Sequence, residues 1–137
     1  MSTTHHDAFQ ARLGEMGTAM DAQDLDTLLA YYDDALVFIA DGKEMDKAGL
    51  EDYVRELWSG ESGFSVRVVG MHTCDDVIAV TLEVSAAAVG PSGENVTIHW
   101  PMFATYTFDL STLKVVREVT FTDEPAVAEK FAAVGAA

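Results

Sequence analysis

The stretch NVTIHWPMFATYTFDLSTLKVVREVTFTDE, residues 95–124, carries the clearest strand signal in the chain. Residues 97–108 and 115–122 are mostly β-branched or aromatic, and such residues favour strands. Residues 109–112, Asp-Leu-Ser-Thr, supply the chemistry of a tight turn between them. The stretch therefore predicts a long β-hairpin, which we expect to form one wall of a small-molecule pocket.

Upstream of this hairpin, the spacing of apolar residues changes from helical to alternating. The predicted elements are helices over about 4–22, 25–32 and 47–58, a short buried strand over 35–40, and strands over 64–73 and 77–88. Asp24 and Asp46 are suited to cap the second and third helices, and Pro125 marks the first turn of a last, short helix.

This order of elements predicts an α+β fold. We expect a cone-shaped, curved sheet, mixed or antiparallel, that wraps around three N-terminal helices and is followed by a short C-terminal helix. Such a sheet, closed by helices, leaves a conical cavity. No linker or internal repeat interrupts the pattern, so residues 1–137 are predicted to be a single domain, with residues 1–5 as a mobile tail.

Composition excludes several classes of partner. The chain has 23 acidic and 8 basic residues and a formal net charge of −15. Nucleic acids and anionic membranes both require clustered lysine and arginine, so neither is an expected partner. The single cysteine, Cys74, is typical of a reducing compartment, and neither an export signal nor a membrane-spanning apolar run is apparent. We therefore expect a cytoplasmic protein.

Three stretches resemble the nuclear-transport-factor-2-like superfamily, which includes SnoaL-like polyketide cyclases and ketosteroid isomerases. They are AMDAQDLDTLLAYYDDALVFIADG (residues 19–42), the helix that starts near Asp46-Lys47, and TFDLSTLKVVREVTFTDE (residues 107–124). The resemblance implies a single cone-shaped α+β domain with a pocket for a small apolar molecule. It specifies the fold better than the function, because this fold hosts unrelated chemistries.

Two functions are consistent with this resemblance. The first is a cofactor-independent enzyme that performs acid–base chemistry on a small apolar cyclic substrate, such as isomerisation, cyclisation, dehydration or hydrolysis. The second is a non-catalytic module that binds a ligand or dimerises. The catalytic triad of ketosteroid isomerases is absent, because alignment places Met16, Ile39 and about Pro101 at its positions. Steroid isomerisation by that triad is therefore not expected.

His99 and Glu118 are the candidate catalytic residues. Side chains alternate between the two faces of a strand, and the alignment turns His99 and Glu118 toward the pocket. A histidine titrates near neutral pH, and a buried carboxyl has a raised pKa, so either could transfer a proton. The alternatives are that His99 bonds to a neighbouring strand or lies at the rim, and that Glu118 lies on the solvated face of its strand. A register error of one residue would reverse the assignment.

The remaining pocket predictions follow from the same register and from the helix ends. The expected ligand-binding residues are Tyr31, Tyr53, Trp58, His72, Phe103, Thr105 and Thr120. His72, His99 and Glu118 could in principle bind a metal, but their wide spacing is no metal signature, so no metal or organic cofactor is expected.

The opposite face of the first hairpin strand carries Trp100, Met102 and Tyr106. An apolar surface of this size on the outer face of a sheet would be a liability in a monomer. The sequence therefore predicts a homodimer that packs through the outer sheet face.

Overall fold

The computed structural model describes residues 3–59 and 64–135 and has the predicted α+β architecture. The elements are α1 (Thr3–Asp21), α2 (Leu25–Ala30), β1 (Tyr32–Ala40), β2 (Lys43–Met45), α3 (Lys47–Ser59), β3 (Phe64–Cys74), β4 (Val77–Val89), β5 (Asn95–Phe108), β6 (Val115–Phe121) and α4 (Glu124–Ala133). The three N-terminal helices and the short C-terminal helix confirm the predicted arrangement.

The six strands form one mixed sheet in the order β2-β1-β6-β5-β4-β3. β1 and β6 are parallel, and the other neighbouring strands are antiparallel. The sheet is open, because β2 and β3 are its two edges. β6 lies between β1 and β5, so side chains on its inner face stand in the middle of the sheet.

Aspartate side chains fix where two of the helices begin. Asp24 accepts a hydrogen bond from the amide of Thr27 at 3.2 Å, and Asp46 accepts one from the amide of Gly49 at 2.9 Å. Each carboxylate satisfies an amide that the first turn of a helix leaves unpaired. Both predicted caps are confirmed.

The predicted hairpin is also confirmed, as β5 and β6. In its turn, Asp109 Oδ1 accepts hydrogen bonds from the amides of Ser111 at 2.8 Å and Thr112 at 3.3 Å. Leu113 then adopts a left-handed conformation with φ of 54°. The aspartate side chain therefore stabilises the turn by accepting hydrogen bonds from backbone amides two and three residues later.

The segment after α2 differs from the prediction. α2 ends at Ala30, and Tyr32 is the first residue of β1, where it pairs with Val115 of β6. The helical apolar spacing that included Tyr32 was therefore misleading, because tertiary pairing with β6 takes this residue into the sheet. β2 was not predicted, since three residues are too few to show alternation.

α1 is the longest helix, with 19 residues, and begins at Thr3. It includes His5 and His6, so residues 3–5 of the predicted tail are helical. His6 Nδ1 lies 2.6 Å from the hydroxyl of Thr73 on β3, which ties this end of the helix to the sheet. None of the helices within the described ranges is long and apolar enough to cross a membrane.

The core lies between the helices and the inner face of the sheet. The ring of Phe9 on α1 stacks on Phe108 of β5 with 4.6 Å between the centroids, and both side chains are buried. Phe38 of β1 meets Tyr53 of α3 edge-on at 5.2 Å. Burial of each such phenylalanine stabilises the fold by about 1.5–3 kcal/mol. These contacts hold α1 and α3 over the sheet.

Candidate functional site

A cavity of about 270 Å³ lies between the helices and the inner face of the sheet. Most of its wall is apolar and includes Met16, Phe38, Val54, Leu82, Trp100 and Met102. An apolar cavity of about 150 Å³ holds one benzene ring. The present cavity therefore has room for a compound of about two fused rings.

Glu118 is the carboxyl group at the centre of this wall. On β6 it pairs with Phe38 of β1 on one side and with Tyr106 of β5 on the other, and its exposed fraction is only 6%. The hydroxyl of Tyr32 donates a hydrogen bond of 2.6 Å to Glu118 Oε1. No other hydrogen bond to this carboxyl is present among the described residues, so its second oxygen is free for a ligand.

Burial raises the pKa of Glu118 from 4.5 to about 7, because a carboxylate loses hydration in this apolar wall. The Tyr32 hydrogen bond acts in the opposite direction, since it stabilises the ionised form. Burial and the nearby Glu118 charge raise the pKa values of Tyr32 and Tyr106 well above the usual range for tyrosine. Both phenols therefore stay protonated at neutral pH, while Glu118 is present in both forms.

Thr120 supplies a second polar group two residues further along β6. Its exposed fraction is 2%, it lines the cavity, and its Oγ1 has no hydrogen-bond partner among residues 3–59 and 64–135. A buried hydroxyl without a partner costs about 1–3 kcal/mol. A polar atom of a bound ligand would remove this cost.

Polar residues continue from Thr120 along one side of the cavity. Asp41 follows β1, and its Oδ1 accepts a hydrogen bond of 2.7 Å from the amide of Thr122. The amide of Asp41 in turn donates to the Thr120 carbonyl at 3.0 Å. Glu124, at the start of α4, also lines the cavity. The polar side of the cavity is thus built from the end of β6 and the turn after β1.

Replacing Tyr32 with phenylalanine should raise the pKa of Glu118 above about 7. The substitution removes the hydroxyl that stabilises the carboxylate, and a hydrogen bond to a charged group is worth about 1.5–3 kcal/mol, so we expect a rise of about one to two pH units. Infrared titration of the carboxyl stretch would measure it. Tyr31→Phe, outside the cavity wall, is the matched control. An unchanged or lowered midpoint in Tyr32→Phe would contradict this role.

Of the residues that the sequence indicated, the structure places Glu118, Thr120 and Tyr53 in the cavity wall. Glu118 and Thr120 face inward because alternate residues of β6 point into the core. Tyr53 lies on α3, and its ring packs against Phe38. These three residues therefore line the same cavity.

The predicted orientation of β5 is wrong. Its buried and half-buried inner positions are the even-numbered ones, so His99, Phe103 and Thr105 point to the outer face. The His99 side chain is 57% exposed and lies 3.8 Å from Glu83, another outer-face residue. The odd-numbered side of this strand is mainly polar, with Pro101 and Phe103 as the exceptions, and polar side chains keep their hydration on the outer face.

The correction to β5 brings three other residues into the cavity. Trp100, Met102 and Tyr106, which were assigned to an outer dimer surface, line the cavity instead. Trp100 also lies against Phe131 of α4, with 6.1 Å between the ring centroids. An interface built from these three side chains is therefore ruled out by their position.

His72 is exposed on β3, and like His99 it lies away from the cavity. The two histidines cannot join Glu118 in a metal site, because they lie on the opposite face of the sheet. Within residues 3–59 and 64–135, no group of three ligating side chains could hold a metal ion.

Tyr31 and Trp58 pack beside the core rather than in the cavity wall. Tyr31 follows the last residue of α2, and the Arg12 guanidinium lies 5.0 Å above the centre of its ring. On α3, the neighbouring Leu57 lines the cavity in place of Trp58. Both aromatic residues contribute to packing in this structure.

The sequence reasoning missed Tyr32, the hydrogen-bond partner of Glu118. It was assigned to the second helix, although it follows a helix of only six residues and precedes an Asp-Asp pair. Of these, the Asp-Asp pair is the sequence feature that could have indicated an earlier helix end. Nothing in the local pattern, however, indicates a contact with a residue 86 positions away.

The comparisons with solved structures show the fold. A candidate SnoaL-like polyketide cyclase from Shewanella denitrificans OS-217 has a TM-score of 0.76 and 16% identity, covering 92% of this chain and 98% of that one. IdmH, a candidate polyketide cyclase from Streptomyces antibioticus, has a TM-score of 0.78 and 14% identity, with coverages of 90% and 98%. AclR, a candidate hydroxylase from Streptomyces galilaeus, has a TM-score of 0.74 and 18% identity, with coverages of 94% and 82%.

Sequence comparison extends this result from the fold to the family. No curated protein sequence matches the chain. The family model described as the SnoaL-like domain matches residues 14–129, which include the whole of the sheet and every polar residue of the cavity named above. The protein therefore belongs to the SnoaL-like domain family.

Proposed function

We propose that this protein is an enzyme that performs acid–base chemistry on a small ring compound, with Glu118 as the group that transfers the proton. The observation that carries the proposal is the buried carboxyl of Glu118 in the wall of a mainly apolar cavity, with one oxygen held at 2.6 Å by Tyr32. Carboxyl groups with raised pKa values in such cavities are typical of catalytic acids and bases.

The chemistry of the site fits a reaction in which a proton leaves carbon and later returns. With a pKa of about 7, Glu118 can accept a proton and release it again near neutral pH. Thr120 points to the same face of β6, about 7 Å further along the strand. Its hydroxyl can donate to a substrate oxygen on which charge develops while Glu118 takes the proton.

The structural neighbours support small-molecule chemistry without choosing the reaction. Two of them are named as candidate polyketide cyclases and a third as a candidate hydroxylase. One fold with different named activities supports a common cavity and reactions set by individual side chains. Isomerisation, cyclisation and dehydration all need the proton transfer that we assign to Glu118.

A substrate screen tests this function. One- and two-ring ketones and β-dicarbonyl compounds would be incubated with the protein between pH 5 and 9 and followed by absorbance and mass. We expect turnover whose dependence on pH has an apparent pKa near 7, as for Glu118. Compounds that raise the melting temperature but are never converted would instead support the second function, a non-catalytic binding module.

We also propose that the protein forms a homodimer through the outer sheet face, with different residues from those the sequence suggested. Phe103 and Phe121 are directly opposite each other on β5 and β6, and they are 51% and 54% exposed. Adjacent exposed aromatic residues favour a protein contact. The predicted cytoplasmic location stays a prediction.

Phe103→Glu should convert the dimer to monomers, because it places a charge in the apolar contact. Sedimentation velocity would measure the mass of the wild type and the variant. Thr97→Glu, at an exposed outer position of the same strand, is the control and should remain dimeric. A monomeric wild type, or a Phe103→Glu variant of unchanged mass, would overturn the proposed interface.

A further inference from the structure

The cavity wall carries charge of one sign. Four acidic residues line it, Asp21, Asp41, Glu118 and Glu124, and no lysine, arginine or histidine does so within the described part of the chain. Residues 1–2, 60–63 and 136–137, which lie outside that part, contain none of these three residue types. The sequence therefore offers no further basic side chain to the wall.

Two basic side chains on helices that border the cavity, Arg12 on α1 and Lys47 on α3, make contacts elsewhere. Arg12 donates a hydrogen bond of 2.8 Å to the Leu113 carbonyl. Lys47 donates to the Tyr32 carbonyl at 3.0 Å and pairs with Asp34 at 3.1 Å. Neither side chain lines the cavity, so neither is placed to pair with an anionic group bound there.

The hydroxyl of Thr120 indicates that this acidic cavity takes a ligand. The residue is only 2% exposed and lines the cavity. Its hydroxyl has no hydrogen-bond partner in the part of the chain that the structure describes, although almost all buried polar groups in proteins have one. A hydroxyl can donate or accept, so it calls for a polar atom on the ligand without choosing its charge. The surrounding carboxyl groups determine which ligand charge the cavity favours.

We infer that the cavity admits uncharged and cationic ring compounds and excludes anionic ones, so that the substrate of Glu118 carries no free carboxylate, sulfate or phosphate group. A bound anion would lie close to the Glu118 carboxyl and would lose its hydration without gaining a basic partner. Such unpaired and like charges are an effective way to reject a ligand. That the admitted compounds include the substrate of Glu118 rests on the proposed function. The selection by charge concerns binding alone.

Three naphthalene compounds of similar size test this inference, since two fused rings match the cavity. They are 2-naphthylmethanol, 2-naphthylmethylammonium and 2-naphthoate, and calorimetry at pH 8 would measure their dissociation constants. At this pH most of Glu118 is ionised. We expect the alcohol and the ammonium compound to bind and the carboxylate to bind at least about 100-fold more weakly than the alcohol. A carboxylate that binds within about threefold of the alcohol would overturn the inference.

Charge variants identify the group responsible. Glu118→Gln removes one negative charge with little change in shape and should strengthen 2-naphthoate binding about tenfold. Asp41→Asn is a second variant in the wall, whose amide oxygen can still accept from Thr122. Glu83→Gln makes the same charge change on the outer face and should leave binding unaltered. Equal effects of Glu118→Gln and Glu83→Gln would overturn the assignment to the cavity.

The outcome can be separated from that of the proposed function. If the three compounds bind in the expected order but no compound is ever turned over, the charge selection stands and the enzymatic function fails. If a carboxylate compound is turned over efficiently by Glu118, the enzymatic function stands and the charge selection fails.

Discussion

Replacing Glu118 with glutamine should lower kcat by about 10²–10⁴-fold, which is the usual contribution of a positioned acid or base. Glutamine has nearly the same shape, and its side-chain oxygen can still accept the hydrogen bond from Tyr32. It cannot take a proton from a substrate at neutral pH. The loss should therefore fall on kcat, with KM for an uncharged substrate changed much less.

The measurement is steady-state kinetics on a substrate from the screen, with Glu83→Gln as the control. Glu83 lies on the outer face, where it pairs with Arg67 at 3.2 Å, and its replacement should leave kcat unchanged. A Glu118→Gln variant that retains more than about a tenth of the wild-type kcat would show that another group transfers the proton.

The same Glu118→Gln substitution should change how stability depends on pH. The unfolded chain releases the Glu118 proton near pH 4.5, whereas the folded protein keeps it to about pH 7. Between these values the folded state binds more protons, so the wild type loses stability relative to the variant as the pH rises. The rise in the pKa of Glu118 on folding corresponds to roughly 3 kcal/mol of stability. This stability is fully lost above the folded-state pKa.

Urea unfolding of both proteins at pH 4 to 8 would measure this difference. Most of the 23 acidic residues are common to both chains, so their contributions cancel in the comparison. In Glu83→Gln, which loses an exposed ion pair, the stability should change by less than about 1 kcal/mol. A stability difference between the wild type and Glu118→Gln that stays constant with pH would contradict the burial of an ionisable group at this position.

Local signals in the sequence were sufficient for the order of the elements. The strand-forming residues and the Asp109 turn predict the β5–β6 hairpin, and Asp24 and Asp46 predict where α2 and α3 begin. These features depend on hydrogen bonds and conformational preferences within a few residues. For the same reason, the sequence could not find the contact between Tyr32 and Glu118, which joins neighbouring strands that lie 86 residues apart in the sequence.

Which face of each strand points to the cavity was harder to predict. The sequence indicated that the side chains of β5 and β6 alternate between the two faces of the sheet. On β6 the expected inward positions, Glu118 and Thr120, line the cavity. On β5 the expected faces were the reverse of the observed ones: His99 lies on the outer face, and Trp100 lines the cavity. A shift of one residue exchanges the two faces of a strand, and both faces of β5 carry aromatic residues.

The sequence by itself therefore determined an α+β chain that ends in a long hairpin and carries a carboxyl group on its last strand. Only the tertiary structure decided that Trp100, Met102 and Tyr106 line the cavity and that Tyr32 donates to Glu118. Alternation is a property of one strand, whereas the choice of the inner face depends on the helices that pack against it. The mainly polar odd-numbered side of β5 was a hint within the strand, but the inner face was decided by the burial of the whole sheet against the helices.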